Sequence, residues 1–263
     1  MSVELHQLDV PTLFDVKGKV AVVTGGSRGI GLMIAQGYVE AGAKVYITAR
    51  KADVCNEVAA ELSKRGTCVS IPMDLNKEGG NEAFAKEIGK RETAVHILVN
   101  NAGANWGEAI DTYPADAWDK VLGLNVKAPF VLTRELLPLL RKGSKPGDPA
   151  RVINIGSIDG IHVPAFENYA YSSSKSAIHQ LTRHLSVRLG PEVTVNAIAP
   201  GPFESKMTEF MLDNFRKSIE ANCPMQRIGN PSDMAGVAIF LASRAACYMT
   251  GTVIPVDGGI CVK

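Results

Sequence analysis

Seven short runs of mostly β-branched and aliphatic residues punctuate the chain: KVAVVT at 19–24, KVYITA at 44–49, CVSIPM at 68–73, VHILVN at 95–100, RVINIG at 151–156, VTVNAIA at 193–199 and GTVIPV at 251–256. Most are apolar without strict alternation, the signature of strands covered on both faces, and so of a parallel sheet. Between them lie stretches whose apolar positions recur at helical spacing, such as 31–42, 52–66, 81–92 and 169–190. Gly42, Gly66 and Gly190 stand where left-handed glycines would stop three of these helices. Strand followed by helix, repeated, predicts an α/β fold: a Rossmann-like, doubly wound sheet of seven parallel strands with helices on both faces. The Gly- and Pro-containing segment RKGSKPGDPA at 141–150 leads into a strand like those before it, so it reads as a connection. One domain is expected over residues 18–263, preceded by an N-terminal arm at 1–17.

Composition narrows the function classes. A net charge of +1 over 263 residues gives no electrostatic footprint for nucleic acid or an anionic membrane. No apolar run reaches the 18 or so residues that span a bilayer, and the start MSVELHQLDV lacks the basic-then-apolar form of a signal peptide, which predicts a soluble cytoplasmic protein without membrane insertion. Five cysteines, odd in number and scattered, read as reduced thiols, mostly buried. Five equally dispersed histidines predict no metal site.

The chemistry gathers at strand ends. The first strand runs into TGGSRGIG at 24–31, where Gly25, Gly29 and Gly31 permit a tight turn and close approach of a pyrophosphate to the N-terminus of the following helix. Such a loop also serves any sharp strand-to-helix turn; its place after strand one favours the dinucleotide reading. About 20 residues on, where an acid would hold the ribose of NAD, stand Arg50 and Lys51, with Arg28 in the glycine loop nearby. Guanidinium and ammonium groups match the 2′-phosphate of NADPH/NADP+, although the same two residues would also serve as a solvated helix cap. Asp74, in PMDLN, and NNAG at 100–103 end strands three and four on the same edge. Ser157 ends strand five there, and Asn125 lies in the helix before it. On the helix that follows, Tyr171 and Lys175 are four residues apart and share a face; Tyr169 and Lys175 are six apart and do not. Taken alone, the pair reads as an ordinary solvated helix contact. It acquires chemical meaning only if Tyr171 must yield a proton, since a nearby ammonium favours the phenolate.

TGGSRGIG, NNAG, Asn125, Ser157, YSSSK and PGPFES occur in the order and at the spacings of the short-chain dehydrogenase/reductase family, which the chain resembles from about Gly18 to Gly259. Within that family, ILVNNAG, ARVINIGS and MTGTVIPVDGG resemble NADPH-dependent 3-oxoacyl reductases, and MIAQG, NWGEA, LLPLLRK and SKSAIHQL those of the rhamnolipid-pathway type. The resemblance implies a catalytic set of Asn125, Ser157, Tyr171 and Lys175: Tyr171 as general acid, Lys175 as the group that lowers its pKa and grips the nicotinamide ribose, Ser157 as a hydrogen-bond partner of the substrate oxygen, Asn125 as the anchor of a water. It implies cofactor contacts from Gly25, Ser27, Arg28, Gly29, Ile30, Gly31, Arg50, Lys51, Asp74, Leu75, Asn101, Ala102, Gly103, Tyr171, Lys175, Pro200, Gly201, Phe203 and Ser205. Phe203 stands where isoleucine or valine is usual and Ser205 where threonine is, which weakens the contact expected there. Residues 204–225 correspond to a substrate lid whose Met207, Phe210, Met211, Leu212 and Phe215 form an apolar wall or plain core packing, with Trp106 as another wall. The expected activity is hydride transfer to a small-molecule carbonyl, giving a secondary alcohol, with a 3-oxoacyl thioester as substrate; steroid, sugar or xenobiotic alcohol dehydrogenase is the alternative. A cofactor-binding regulator without chemistry is the reading from another class; loss of Tyr171 or Lys175 would mark it, and both are present. The resemblance further implies a homo-oligomer, tetramer or dimer.

Overall fold

A computed structural model describes residues 9–263. Its seven-stranded sheet consists of β1 (Val20–Thr24), β2 (Lys44–Thr48), β3 (Thr67–Ser70), β4 (Ile97–Asn100), β5 (Ala150–Ile155), β6 (Val193–Pro200) and β7 (Val253–Val256), in the spatial order β3-β2-β1-β4-β5-β6-β7. Every pairing is parallel. The seven predicted strands are all present; the five inner ones are buried on both faces, while the edge strands β3 and β7 are covered only in part. Along β1, Ala21 and Val23 enter one core while Val20 and Val22 enter the other. The first core takes Ile34 and Tyr38 of α2 (Gly29–Glu40), Cys55 and Leu62 of α3 (Ala52–Leu62), and Met234 and Leu241 of α9 (Pro231–Ala242). The second takes Phe84 and Ile88 of α4 (Gly80–Gly89) and Leu132 and Leu136 of α6 (Ala128–Gly143).

Chain order reverses its direction across the sheet between β1 and β4. A crevice therefore opens at the carboxyl ends of these two strands, the place where open α/β sheets bind ligands. TGGSRGIG and NNAG are the segments that leave those ends.

The helix stops differ from the reading of the glycines. Gly42 is left-handed, at φ +83°, as expected. α3 instead ends at Leu62, where the Ser63 hydroxyl donates to the Ala59 and Cys68 carbonyls. Gly66 is absent from the left-handed positions; an added Cβ there would lie 2.7 Å from the Val39 carbonyl oxygen. Gly190 does stop α7 (Tyr169–Leu189), as expected, but as an extended rather than left-handed cap. Of the N-terminal arm, residues 1–8 lie outside the described part. Val10–Leu13 form one turn of helix, α1, and Val16 is buried in the first core.

At the sheet edge opposite the crevice, the Arg151 guanidinium is fully buried and donates to Asp148 Oδ1 at 2.8 Å and to the Ser243 carbonyl at 2.9 Å. Lys19 Nζ reaches the same Asp148 oxygen at 2.9 Å. One carboxylate thus serves two cations. No helix among the described residues is long and apolar enough to cross a membrane.

Candidate active site

The crevice floor is tied together by one hydroxyl. Thr24 Oγ1, at the end of β1, accepts the backbone N–H groups of Asn101 and Ala102 at 2.8 and 2.9 Å. Asn101 Nδ2 returns to the Thr24 and Gly25 carbonyls at 2.8 and 3.2 Å. The side chain of Asn101, expected as a cofactor contact, therefore holds the glycine loop in place. Thr24 was absent from the sequence-predicted set; its position as the last strand residue before the glycines was the available signal.

The loop has the form of a phosphate cradle. Gly25 and Gly29 have φ of +65° and +52°, which side-chain-bearing residues rarely adopt. An added Cβ at Gly31 would meet the Gly25 carbonyl, its carbon at 2.9 Å. Gly29 and Gly31 begin α2, whose first N–H groups face the cradle, with Ile30 half-buried between them and Ser27 buried before them. Arg28, Arg50 and Lys51 are all exposed. None of the three joins an ion pair among the described residues. The residues present thus suit a phosphorylated dinucleotide: a glycine-walled loop at a helix N-terminus, with three uncommitted cations beside it.

The remaining expected contacts divide. Asp74 is half-buried, its Oδ1 accepting the Asn76 N–H at 3.0 Å. Leu75 is turned into the second core and offers only its backbone. Ala102 and Gly103 line the end of β4 half-buried. Pro200 closes β6, and Gly201 packs against Asp257. Phe203 is buried in the first core, where a Cβ built on Gly229 would collide with its ring, Cδ1 at 2.7 Å, so its side chain is taken up by packing and its backbone is what remains for a cofactor contact. Ser205 lies beside the glycine loop, its Cβ 3.0 Å from a Cβ built on Gly29, but its hydroxyl is paired with Thr208 Oγ1 at 2.9 Å.

Ser157, Tyr171 and Lys175 come together as predicted. Ser157, buried, follows β5 and caps a single 3₁₀ turn, Ile158–Gly160, by accepting the Asp159 N–H at 3.2 Å. Lys175 Nζ is buried over the Tyr171 ring, 5.3 Å from its centroid, and donates to the Ile155 carbonyl at 2.8 Å. Tyr169 points elsewhere, its hydroxyl donating to Glu167 at 2.8 Å and its ring meeting Tyr113 edge-on.

The ionisation of Tyr171 corrects one expectation. Without cofactor the phenol is pushed up to about 12, by burial first; a Ser157 hydrogen bond opposes the rise and the Asp159 carboxylate adds to it. Lys175 is brought down to about 8 by burial, with Asp159 opposing, so near neutral pH it remains mainly an ammonium. The expected downward pull of Lys175 is not among the influences on Tyr171 in the cofactor-free site, where desolvation sets the direction and Ser157 alone opposes it. Asp159, two residues past Ser157 in GSIDG, is a charged neighbour the sequence reading missed.

Asn125 sits in a π turn, Gly123–Lys127, between α5 (Asp116–Leu122) and α6. Its side chain accepts the Ala104 N–H at 2.8 Å and donates to the Ala104 carbonyl and to Ser174 Oγ, both at 2.9 Å. It braces the segment after NNAG against the residue next to Lys175. In the lid, α8 (Glu209–Asn222), Leu212 is core, whereas Met207 just before the helix, Phe210 and Phe215 are exposed. Phe215 meets Phe166 of the β5–α7 loop at 6.2 Å between ring centroids. Trp106 is held by Glu108 and by Lys120 over its ring.

Comparison with known proteins agrees with this geometry. The family described as enoyl-(acyl carrier protein) reductase matches residues 25–261. A rhamnolipids biosynthesis 3-oxoacyl-[acyl-carrier-protein] reductase from Pseudomonas aeruginosa is 49% identical over 249 residues, covering 94% of this chain and 97% of that protein. A 2-dehydro-3-deoxy-D-gluconate 5-dehydrogenase from Pseudoalteromonas atlantica is 37% identical over 94% of this chain and 97% of its own length. The solved Pseudomonas aeruginosa RhlG/NADP active-site complex superimposes with a TM-score of 0.92 at 48% identity, covering 95% of this chain and 99% of that one. With the parallel sheet, the glycine cradle at its switch point and the convergent Ser157, Tyr171 and Lys175, these matches establish that the chain belongs to the short-chain dehydrogenase/reductase family.

Proposed function

We propose that the protein reduces the 3-oxo group of an acyl thioester to a secondary alcohol with NADPH, and that Asn125, Ser157, Tyr171 and Lys175 are its working residues. The observation that carries the reading is the convergence of Ser157, Tyr171 and Lys175 at the end of β5, beside the crevice. Gly25, Ser27, Gly29, Ile30 and Gly31 would hold the pyrophosphate through backbone N–H groups, and Arg28, Arg50 and Lys51 the 2′-phosphate. Asp74, with the backbones of Leu75, Ala102 and Gly103, would border the adenosine end. Pro200, Gly201 and Ser205 would border the nicotinamide end. The chemistry a bound NADPH supplies is hydride donation.

Tyr171 gives its phenolic proton to the substrate oxygen as that oxygen gains charge. A phenol held near 12 is fully protonated at neutral pH and ready to donate, and the Ser157 hydroxyl shares the same oxygen. The Lys175 ammonium stabilises the phenolate left behind. Asn125 keeps the loop after β4 and helix α7 in register. The exposed Met207, Phe210, Phe215 and Phe166 form an apolar margin suited to an acyl chain. The similarity to a 3-oxoacyl reductase supports the same substrate class. A homo-oligomer and a cytoplasmic setting, which suits five unpaired thiols, belong to this reading.

The test is NADPH consumption with 3-oxoacyl thioesters, hydroxysteroid ketones and keto-sugars, for the wild type and Tyr171→Phe. The thioesters should give the highest kcat/KM, and the variant should lose nearly all turnover while still binding NADPH. Higher kcat/KM on a steroid or sugar would overturn the substrate; a fully active Tyr171→Phe would overturn the mechanism.

A further inference from the structure

We infer that His179 is a positioning residue of the catalytic pair: its imidazole is the spacer that sets the end of β5, with Ser157, at its working distance from Tyr171 and Lys175. His179 lies on α7 four residues past Lys175 and eight past Tyr171, so it follows them along one helix face. It is buried, and its ring lies against Gly156: a Cβ added there would be closest to Nε2, 2.7 Å from Cδ2 and 3.3 Å from Cε1.

Gly156 is the single residue between two anchors. On one side is Ile155, whose carbonyl holds Lys175 Nζ at 2.8 Å. On the other is Ser157. The ring therefore bears on the peptide that carries both. Four residues later, Gly160 meets the Lys175 backbone in the same way, with a built Cβ 2.6 Å from its carbonyl carbon and 2.8 Å from its oxygen. At the two points where the backbone of this segment lies tightest against α7 it is glycine, and an added Cβ at either would collide with the helix.

Two features separate this role from plain core filling. Nε2 of His179 is buried without a hydrogen-bond partner among the described residues, a burden that an aliphatic side chain of similar size would not bring. The ring is also kept neutral, by burial and then by the charge of Lys175, so it spaces the ammonium without adding a second cation beside it.

The inference rests on the reading of Tyr171 as proton donor, which the Tyr171→Phe assay tests separately. In His179→Ala, kcat should fall by roughly ten- to a hundredfold, the cost expected of a misplacement of about 1 Å, while the Kd for NADPH stays unchanged. The ionisation of Tyr171 should move upward as Ser157 retreats; it is read without turnover from the phenolate absorbance of the NADP+ complex, with Tyr171→Phe as blank. His179→Gln, neutral and of similar length, should retain most activity. Gly156→Ala alone should be as damaging as His179→Ala, and the double variant should be at least several-fold better than Gly156→Ala. Should the alanine void prevent folding, His179→Val carries the same expectations. An unmoved Tyr171 ionisation overturns the inference, whether kcat is normal or falls together with NADPH affinity, and so does a double variant no better than Gly156→Ala.

Discussion

Acidification should weaken the fold through one side chain more than any other near the site. In the unfolded chain the His179 imidazole titrates near 6.5, whereas burial first, and the Lys175 charge second, hold it at about 4 in the folded protein. Between these values the unfolded chain binds a proton that the folded protein excludes. The stability His179 contributes is therefore complete above 6.5, declines as the pH falls toward 4, and changes no further below that. The gap, at about 1.4 kcal/mol per pH unit, corresponds to about 3 kcal/mol, most of it lost by pH 4.5. That is a large share of the stability of an ordinary domain. His96, whose Nδ1 accepts the Val20 N–H and whose pKa burial also lowers, contributes in the same direction. Urea midpoints at half-unit steps from pH 7.5 to 4.5, for the wild type and His179→Gln, separate the two, because the variant keeps His96 and every carboxylate. The variant's curve should be flatter by about 2 to 3 kcal/mol. Parallel curves would refute the reasoning.

Arg50→Ala should weaken NADPH binding by roughly ten- to a hundredfold and leave NADH nearly unaffected, since a charge-assisted contact contributes about 1.5–3 kcal/mol; fluorescence titration of both cofactors checks this, and an equal loss would assign Arg50 to the fold. In the pH profile of alcohol oxidation the Tyr171 ionisation should move upward when Lys175 becomes Met, and an unchanged profile in a variant that binds cofactor would remove Lys175 from that role. Tyr169→Phe should change kcat less than about twofold, because its hydroxyl is occupied by Glu167, well away from the pair. Asp148→Ala should cost about 3 kcal/mol in a denaturation titration, since it leaves the buried Arg151 and the half-buried Lys19 without a counter-charge.

The strands were legible because a residue such as Val22 or Leu98 is buried whichever way its strand runs, so composition alone marks it. Tyr171 and Lys175 were legible because a four-residue spacing on a helix is geometry already. What spacing cannot carry is a contact between segments far apart in the chain. The bonds from Thr24 to Asn101, from Asn125 to Ser174, and the packing of His179 on Gly156 exist only once the strands are in order. The packing of the Phe203 ring was illegible for the same reason: its motif fixes the backbone path, while the space at Gly229 decides where the ring goes. Gly66 was misread as a helix stop because glycine also serves close approach, here to Val39. Desolvation of Tyr171 is a three-dimensional property too, and a cation four residues away said nothing of its size.

The Thr24 hydroxyl fastens the glycine loop and the start of NNAG into one unit, while Arg28, Arg50 and Lys51 take no part in that fastening. Shape and charge of the cofactor site are thereby uncoupled. The three cations are open to exchange by evolution or by an engineer, who could move coenzyme preference from the phosphorylated to the unphosphorylated form without disturbing the loop. A loop transplanted from a relative would have to bring its own partners for Thr24 and Asn101, or arrive unsupported.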